Sequence, residues 1–208
     1  MHLTVITKAP VPGRVKTRLT PPCTPDEAAA LAEAALVDTL DAVDRAVAGR
    51  SNVRRVVLLD GEPGPWMPND HEVVAQRGDG LGERLANGFD DLGPGVIVGM
   101  DTPAAGRWLP QALDGVAAGD DVIGLATDGG YWVIGLADID RAVFDDVPMS
   151  ASHTGLAQLR RLHTLRRRVR LLPTVRDLDD PDDLVALAAG DGVGRLDEMA
   201  RSISLALS

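Results

Sequence analysis

The sequence contains few residues of several kinds, and each scarcity excludes a class of protein. The 208 residues include one cysteine, so the chain cannot close an internal disulfide and is no disulfide-stabilised scaffold. Aromatic side chains make up 3% of the residues. No apolar run reaches the roughly 18 residues that a membrane helix needs. These features predict a soluble protein without a membrane partner, and a cytoplasmic location is expected.

Positive charge is scarce as well. The chain has 21 basic against 31 acidic side chains, a formal net charge of -10, which repels nucleic-acid backbones, so no nucleic-acid partner is expected. Its two lysines, Lys8 and Lys16, stand close together beside Arg14 and Arg18. Because arginine has almost replaced lysine elsewhere in the chain, the position of the two lysines favours a site that combines the compact ammonium of lysine with the planar guanidinium of arginine. Chance clustering is the alternative.

The pattern along the chain alternates strands and helices, and the length fits a single domain over 1–208. Alternation predicts an α/β fold, a mainly parallel sheet flanked by helices, with ligands at the carboxyl ends of the strands. The predicted strands 121–126 and 131–136 are close enough in sequence for a hairpin or a sharp reversal. The predicted strands are 3–7, 53–59, 72–75, 95–100, 121–126, 131–136 and 166–172. The predicted helices are 24–49, one from the glycine loop to Gly93, 107–118, 152–164 and two short ones at the end.

Two common nucleotide motifs are tested first, and both fail. A Walker A loop needs glycine directly before its lysine, where this chain has Val15. A dinucleotide fingerprint starting at Gly78 needs glycine at position 83, which is Glu83. Neither a P-loop NTPase nor an ordinary dinucleotide-binding fold is predicted.

The loop after the first strand and the end of the central strand form a different constellation. Lys8, Arg14, Lys16 and Arg18 surround a glycine-bearing backbone, which suits a diphosphate or triphosphate. Asp101 follows the apolar strand 95–100, where a carboxylate can hold Mg²⁺ together with phosphates and waters. The alternative for Asp101 is a turn or helix-capping role.

The segment 177–183 carries five carboxylates in seven residues. Asp180 before Pro181 is an expected helix cap, and the next two aspartates suit the helix dipole. Asp177 and Asp179 lie outside that explanation, so one of them is predicted as a second metal ligand opposite Asp101. Solvated loop charge remains the alternative.

Two further segments are predicted to face an acceptor. Asp128, Gly129, Gly130 and Tyr131 combine paired glycines, which allow close backbone approach, with a carboxylate. The hydroxyls of Ser150 and Ser152 precede a helix, whose N-terminus suits an anion. A simple turn and a helix cap are the respective alternatives.

Four motifs together resemble one family. They are K-A-P-x-P-G-x-V-K-T-R-L from Lys8, G-x-G-L-G-E-R-L from Gly78, G-M-D-T-P from Gly99 and T-D-G-G-Y-W-V-I-G-L from Thr127. Over about residues 1–165 the chain resembles the bacterial glycosyltransferase-like family that includes the arsenosugar-biosynthesis type, within the nucleotide-diphospho-sugar transferase superfamily.

A second resemblance lies in K-T-R-L followed by a helix containing V-D-T-L, which is similar to phospholactate and phosphoenolpyruvate guanylyltransferases. The acidic segment from Asp177 is similar to one in these and in the molybdenum-cofactor guanylyltransferases. The resemblance implies a GT-A fold, a nucleotide between the first loop and the 80–84 loop, and a metal on Asp101. Two departures concern the substrates: Pro103 replaces the second carboxylate of an Asp-x-Asp pair, and Asp128-Gly129-Gly130 replaces a G-T-G-T-like turn.

The resulting hypothesis is a metal-dependent transferase, with Mg²⁺ or Mn²⁺, that acts on a nucleotide-activated donor. Nucleotidyl transfer from an NTP to a small anionic acceptor is favoured. Glycosyl transfer from a sugar nucleotide and a non-catalytic nucleotide-binding regulatory module are the alternatives. The predicted catalytic residues are Lys16, Arg18 and Asp101, and the metal ligands are Asp101 and Asp179. The predicted nucleotide-binding residues are Lys8, Pro12, Gly13, Arg14, Lys16, Thr17, Arg18, Gly80, Gly82, Glu83 and Arg84. The predicted acceptor-binding residues are Asp128, Gly129, Gly130, Tyr131, Ser150 and Ser152.

Overall fold

Helices cover both faces of a seven-stranded sheet in the computed structural model, which describes residues 1–207. The strands run in the order β3-β2-β1-β4-β6-β5-β7, and every pairing is parallel except the two that β6 makes. The predicted α/β class with a mainly parallel sheet is therefore confirmed. The strands are β1 (His2–Lys8), β2 (Arg54–Asp60), β3 (Glu72–Ala75), β4 (Gly95–Gly99), β5 (Asp121–Ala126), β6 (Tyr131–Leu136) and β7 (Val169–Val175).

Six α-helices and three short 3-10 helices connect these strands within the described residues. The helices are α1 (Pro25–Val47), α2 (Leu81–Leu92), α3 (Leu109–Ala117), α4 (Thr154–Thr164), α5 (Pro181–Ala188) and α6 (Arg195–Leu207). The 3-10 helices are Thr17–Leu19, Pro103–Trp108 and Arg141–Phe144. Helix α1 begins at the predicted capping box, where the Thr24 hydroxyl accepts from the Glu27 amide and the Glu27 carboxylate accepts from the Thr24 amide. Within residues 1–207, no helix combines the length and the apolar character needed to cross a bilayer.

Two predicted elements have different bounds in the structure. The helix expected over 107–118 is divided into the Pro103–Trp108 3-10 helix and α3. The strand expected over 166–172 instead starts at Val169, because Arg166 takes a left-handed φ of 56° and the Arg167 amide still bonds to the end of α4. Strands β5 and β6 form the expected hairpin, since they pair antiparallel.

The core has one layer on each face of the sheet. Helices α1 and α3 bury Leu36, Leu40 and Leu113 against the strands on one face. Helices α2 and α4 bury Phe89 and Leu162 on the other. Both layers lie beneath the carboxyl ends of the strands, so they fix the positions of the loops that emerge there.

A third apolar cluster joins the C-terminal helices to α1. Leu184 of α5 and Leu196 of α6 are buried together with Leu31, Leu19 and Leu178. Leu19 belongs to the first loop and Leu178 to the acidic segment, so this cluster brings the cationic loop beside the 177–179 carboxylates. The C-terminal helices thereby position two segments that are about 160 residues apart in sequence, as the Arg18 to Asp179 contact shows.

Candidate active site

The carboxyl ends of β1, β4 and β5 and the amino end of the antiparallel β6 surround a cavity of about 840 Å³. This lies within the usual range for small-molecule sites. The first loop, the start of α2, the Asp101 turn, the β5–β6 turn and the acidic segment all contribute to its wall. We call it the first cavity.

Lys16 lies in the wall of the first cavity, against the acidic residues. Its Nζ lies 2.8 Å from Asp101 Oδ2 and 3.9 Å from Asp179 Oδ1, and it donates to the Leu178 carbonyl. The Lys16 side chain is only 5% exposed. Its backbone has a left-handed φ of 47°. Strained non-glycine backbone of this kind persists where surrounding contacts hold it, commonly at functional sites. Lys16 is therefore a fixed cation facing the carboxylates.

Four carboxylates, those of Asp101, Asp128, Asp177 and Asp179, line the cavity, and their charges are not balanced by cations. Burial, followed by the like charges of Asp128 and Asp101, raises the pKa of Asp177 to about 6, while Lys16 acts in the opposite direction. No hydrogen bond or ion pair of the Asp177 side chain with a cation is found among the described residues. Carboxylate oxygens brought together against their mutual repulsion are the ligand set that a hard divalent cation prefers.

Asp179, the predicted second metal ligand, is engaged by cations instead. Arg18 donates to its Oδ2, and Lys16 lies near its other oxygen. The Asp179 amide also bonds to Asp183, which belongs to the capping box of α5. Of the two carboxylates singled out in the sequence, Asp177 is thus the unpaired one.

Lys8 and Arg14 are exposed at the mouth of the cavity. Within residues 1–207 neither side chain has a hydrogen-bond or salt-bridge partner, in contrast to Lys16 and Arg18. Unpaired cations beside a cavity create a positive potential for an anionic ligand.

The glycine loop before α2 is held by its own charged residues. Arg84 donates to Asp60 at 2.8 Å and to Gln76 at 3.0 Å, which joins the loop to the end of β2. The Glu83 carboxylate accepts from the Asp79 amide at 2.8 Å. Both side chains therefore stabilise the loop. Only Arg84 also lines the cavity.

The β5–β6 turn forms the opposite wall. Gly129 has a φ of 92°, and a Cβ there would lie 1.8 Å from the Ser152 carbonyl oxygen, so only glycine fits this close approach. Asp128 accepts from the Gly130 amide at 2.7 Å. Ser150 also takes a left-handed φ, of 57°. Burial raises the pKa of the Tyr131 hydroxyl in this wall.

Most of the predicted site residues line the first cavity. They are Lys8, Arg14, Lys16, Thr17, Arg18, Gly80, Arg84, Asp101, Asp128, Gly130, Tyr131, Ser150, Ser152 and Asp179. Pro12, Gly13, Gly82, Glu83 and Gly129 are not among its lining residues. Gln76 and Thr102 also line it. Gln76 lies in no motif, and Thr102 belongs to the G-M-D-T-P motif but was given no role there, because a lone hydroxyl indicates no particular chemistry.

A second charged cluster lies at the opposite, amino-terminal edge of the sheet. The side chains of Asp44, Asp70 and His71 offer ligand atoms within 4.8 Å of one another, so the group could hold a metal ion. Arg55 already bridges it, with Nη1 3.1 Å from Asp44 and 2.5 Å from Asp70. The buried Nε2 of His71 lacks a hydrogen-bond partner and lies 3.7 Å from Asp44. We call these four residues the amino-edge cluster.

Comparison with known proteins places the sequence and its fold among relatives. A family described as "Uncharacterized protein conserved in bacteria (DUF2064)" matches residues 33–151. No curated protein matches the sequence.

Solved structures resemble the fold over nearly its whole length. One, provisionally described as a nucleotide-diphospho-sugar transferase from Desulfovibrio desulfuricans G20, is 25% identical with a TM-score of 0.85, over 99% of this chain and 96% of that one. It supports the superfamily that the motifs resemble.

Two other structures are more distant. A Mycobacterium tuberculosis H37Rv protein in complex with manganese is 20% identical, with a TM-score of 0.48, over 89% and 96% of the two chains. CMP:2-keto-3-deoxy-manno-octonic acid synthetase complexed with CTP is 13% identical, with a TM-score of 0.47, over 90% and 96%. At these TM-scores neither likeness carries an argument about this chain.

Proposed function

This chain belongs to the DUF2064 family of bacterial proteins, and from its site we propose that it is a metal-dependent transferase acting on a nucleotide-activated donor. Within that class we favour nucleotidyl transfer from an NTP to a small anionic acceptor, as the guanylyltransferase-like motifs imply. The observation that carries the proposal is the pairing, in one cavity, of a cationic first loop with an unbalanced group of carboxylates.

The cationic loop fits the phosphates of an NTP. Lys8 and Arg14 are unpaired among the described residues, and they stand at the mouth of the cavity that contains Lys16 and Arg18. Lys16 and Arg18 already face Asp101 and Asp179, so Lys8 and Arg14 are the cations left unpaired for the several charges of a phosphate chain. Arg84 and Gly80 at the start of α2 border the same space, where we assign the nucleoside.

The carboxylate group fits a divalent metal. We assign Asp101 and Asp177 as its ligands, because Asp101 pairs with Lys16 through Oδ2 and keeps Oδ1 available, and Asp177 has no cation partner among the described residues. Burial and the like charges of Asp128 and Asp101 raise the pKa of Asp177, and a bound cation would relieve that repulsion. Asp179, which the sequence favoured, would instead hold Lys16 and Arg18 in position. Bound Mg²⁺ or Mn²⁺ would neutralise phosphate charge between donor and acceptor.

The transfer step needs little proton chemistry. An ionised oxygen of the acceptor attacks the α-phosphorus of the NTP and forms the new O–P bond. The bond from that phosphorus to its bridging oxygen breaks, and pyrophosphate leaves with the electron pair. Lys16 and Arg18 stabilise the charge that accumulates on the leaving phosphates. Catalysis then consists mainly of positioning and charge stabilisation.

The wall formed by the β5–β6 turn would contact the reacting end of the acceptor. Asp128 and Ser150 lie on this side of the cavity together with Gly130, Tyr131 and Ser152. The close contact between Gly129 and Ser152 fixes the two segments against each other. A rigid wall opposite the carboxylates suits the alignment of a small nucleophile.

Glycosyl transfer from a sugar nucleotide is the second candidate. The specific observation that favours it is the likeness to the Desulfovibrio structure, whose provisional description is a nucleotide-diphospho-sugar transferase. The same cavity and carboxylates would serve, and a nucleoside diphosphate would leave.

The test is calorimetric binding of NTPs and sugar nucleotides, with and without Mg²⁺. We expect metal-dependent binding of one NTP, abolished in Asp101→Asn and retained in the control Asp114→Asn, which alters an exposed carboxylate paired with Arg50. Preference for a sugar nucleotide would replace nucleotidyl with glycosyl transfer. Metal-independent binding that survives Asp101→Asn would indicate a non-catalytic regulatory module, and no binding at all would refute the assignment of the first cavity to nucleotides.

A further inference from the structure

A second cavity, of about 870 Å³, lies on the other side of Asp101. The Pro103–Trp108 3-10 helix, the C-terminal half of α1 and the helices α5 and α6 form its walls. It shares Asp101, Thr102 and Asp177 with the first cavity, so the two meet at the carboxylates.

Some of the charged residues in the second cavity are paired with one another. Arg195 lies 3.1 Å from Asp38 and 2.6 Å from Asp41, and Arg176 lies 2.6 Å from Asp183. Arg176 offsets the charge of Asp183, whereas the single charge of Arg195 is shared by Asp38 and Asp41, and Asp197 and Glu198 also line the cavity. An anion in this cavity must therefore be held by cations that have no acidic partner.

Two arginines of this cavity, Arg45 and Arg107, are different. Both are exposed, and neither has a hydrogen-bond or salt-bridge partner in the part of the chain that the structure describes. The Arg107 guanidinium lies 5.3 Å from the centre of the Trp108 ring, a contact that orients it while leaving its donors available. Gly106 packs against Ala42, which joins the segments that carry the two arginines.

Thr102 supplies an independent sign of a ligand at the junction. The residue is 3% exposed, and its hydroxyl oxygen has no hydrogen-bond partner among the described residues. Buried hydroxyls in proteins are nearly always hydrogen-bonded. This one borders both cavities, so a molecule that passes from one to the other would satisfy it.

We infer that the second cavity binds the anionic end of the acceptor, a carboxylate or a phosphate monoester, between Arg45 and Arg107. Thr102 hydrogen-bonds the body of the acceptor at the junction, and the reacting oxygen lies on the first-cavity side of Asp101. The inference rests on the proposed function, because it takes the donor to occupy the first cavity. It narrows the acceptor to a bifunctional acid with its nucleophile and its recognised anion at opposite ends.

The test is calorimetric titration of the full chain with inorganic phosphate and, separately, with glycolate. Wild type should bind anions at both the first loop and the second cavity. Arg14→Gln/Arg18→Gln should retain the second site, whereas Arg45→Gln/Arg107→Gln should weaken that site at least about 10-fold, as expected for two lost charged contacts. The control is Arg50→Gln, an arginine of the same region paired with Asp114, which should leave both sites unchanged.

The two probes distinguish the sources of the anion. Pair-dependent binding of glycolate alone identifies a carboxylate, and pair-dependent binding of phosphate alone identifies a phosphate ester. Thr102→Val, which removes the hydroxyl at nearly constant volume, should leave phosphate binding at the second site unchanged and should not lower the melting temperature, because Thr102 contacts the body of the acceptor and not its anionic end. Phosphate and glycolate affinities of Arg45→Gln/Arg107→Gln that equal those of wild type would overturn the inference.

Failure of the inference and failure of the proposed function give different results. Arg45→Gln/Arg107→Gln should bind Mg²⁺ and NTP as wild type does, because neither arginine lines the first cavity. If wild type binds an NTP but no anion depends on the arginine pair, the inference alone fails. If wild type binds no nucleotide, the proposed function fails, and the assignment of the second cavity to an acceptor falls with it.

Discussion

The two edges of the sheet carry similar residues in different states of balance. At the amino-terminal edge, Arg55 bridges Asp44 and Asp70, and Arg167 donates two bonds to the buried Asp121. At the carboxyl-terminal edge, one buried lysine faces several carboxylates, and Asp177 has no cation partner among the residues that the structure describes. Both edges combine acidic and basic side chains, so composition alone does not separate them.

This comparison indicates that the candidate site is distinguished by charged groups that lack a partner of opposite charge, rather than by the number of its charged groups. Ion pairs complete within the protein contribute to stability and need no ligand. A group that keeps a raised pKa or an unpaired cation costs stability, and such costs concentrate at functional sites. Substitutions at the amino edge should therefore change stability, and those at the carboxyl edge should change activity.

The largest effect is expected from Lys16→Met, compared with Arg55→Met. Loss of the Lys16 ammonium removes the cation that stabilises the leaving phosphates, so pyrophosphate release should fall about 1,000-fold. Arg55→Met should lower the melting temperature and leave the rate unchanged, since Arg55 lies at the opposite edge. Steady-state pyrophosphate release and thermal unfolding of both variants measure the contrast. Equal losses of activity would abolish the distinction between the edges.

The next effect concerns His2, at the start of β1 on the amino edge. Its ring is fully buried, bonded to Thr4 at 2.7 Å and to the Gly93 carbonyl at 3.0 Å, and burial lowers its pKa from 6.5 to about 4. Because the unfolded chain protonates His2 more readily than the folded chain does, the contribution of His2 to stability is fully present above pH 6.5. That contribution is lost as the pH falls toward 4. The shift corresponds to about 3 kcal/mol in the free energy of unfolding.

Urea unfolding between pH 7.5 and 4 measures this loss. His2→Gln should flatten the decline in that window, while the control His163→Gln, which changes an exposed histidine, should keep the slope of wild type. A slope that is the same in all three proteins would mean that His2 is not the group responsible.

A smaller pair of effects should have opposite signs. Asp177→Asn removes a carboxylate that is buried against like charges, so the metal-free protein should gain about 1 kcal/mol of stability, a figure reduced because solvent screens the group. Asp44→Asn removes a partner of Arg55 at 3.1 Å and should lose about 0.5 kcal/mol. Both are measured by chemical unfolding in EDTA. A loss of stability in Asp177→Asn would place it with the paired residues of the amino edge.

The sequence was sufficient for the strand order along the chain, because alternating apolar runs and a capping box at Thr24 are local signals. It did not predict that β6 inserts antiparallel between β4 and β5, since that pairing depends on register across the sheet. The cationic loop and Asp101 were predicted by residue type. The choice between Asp177 and Asp179 required the Arg18 contact, which joins residues far apart in sequence.

The second cavity was not predicted for a related reason. Arg45 and Arg107 are single arginines on separate helices, and nothing in their neighbourhoods in the sequence indicates a ligand. Their significance comes from the absence of partners among the described residues, a property that only the folded contacts reveal.

The smallest effect is expected when Zn²⁺ is added to protein in which Arg55 is intact. This measurement tests whether Arg55 takes the place of a metal in the amino-edge cluster. A guanidinium that bridges Asp44 and Asp70 occupies the space between their carboxylates and offsets one of their two charges, so Zn²⁺ should shift the melting temperature of Asp101→Asn by less than about 1 °C. Arg55→Met in the same background frees both carboxylates beside the unpartnered His71 nitrogen, a ligand set that Zn²⁺ accepts. Zn²⁺ should then raise the melting temperature by about 3 °C, and His71→Gln should cancel the gain. A clear Zn²⁺ shift with Arg55 intact would show that the amino edge is unbalanced too, and the contrast between the edges would have to be drawn from their cavities alone.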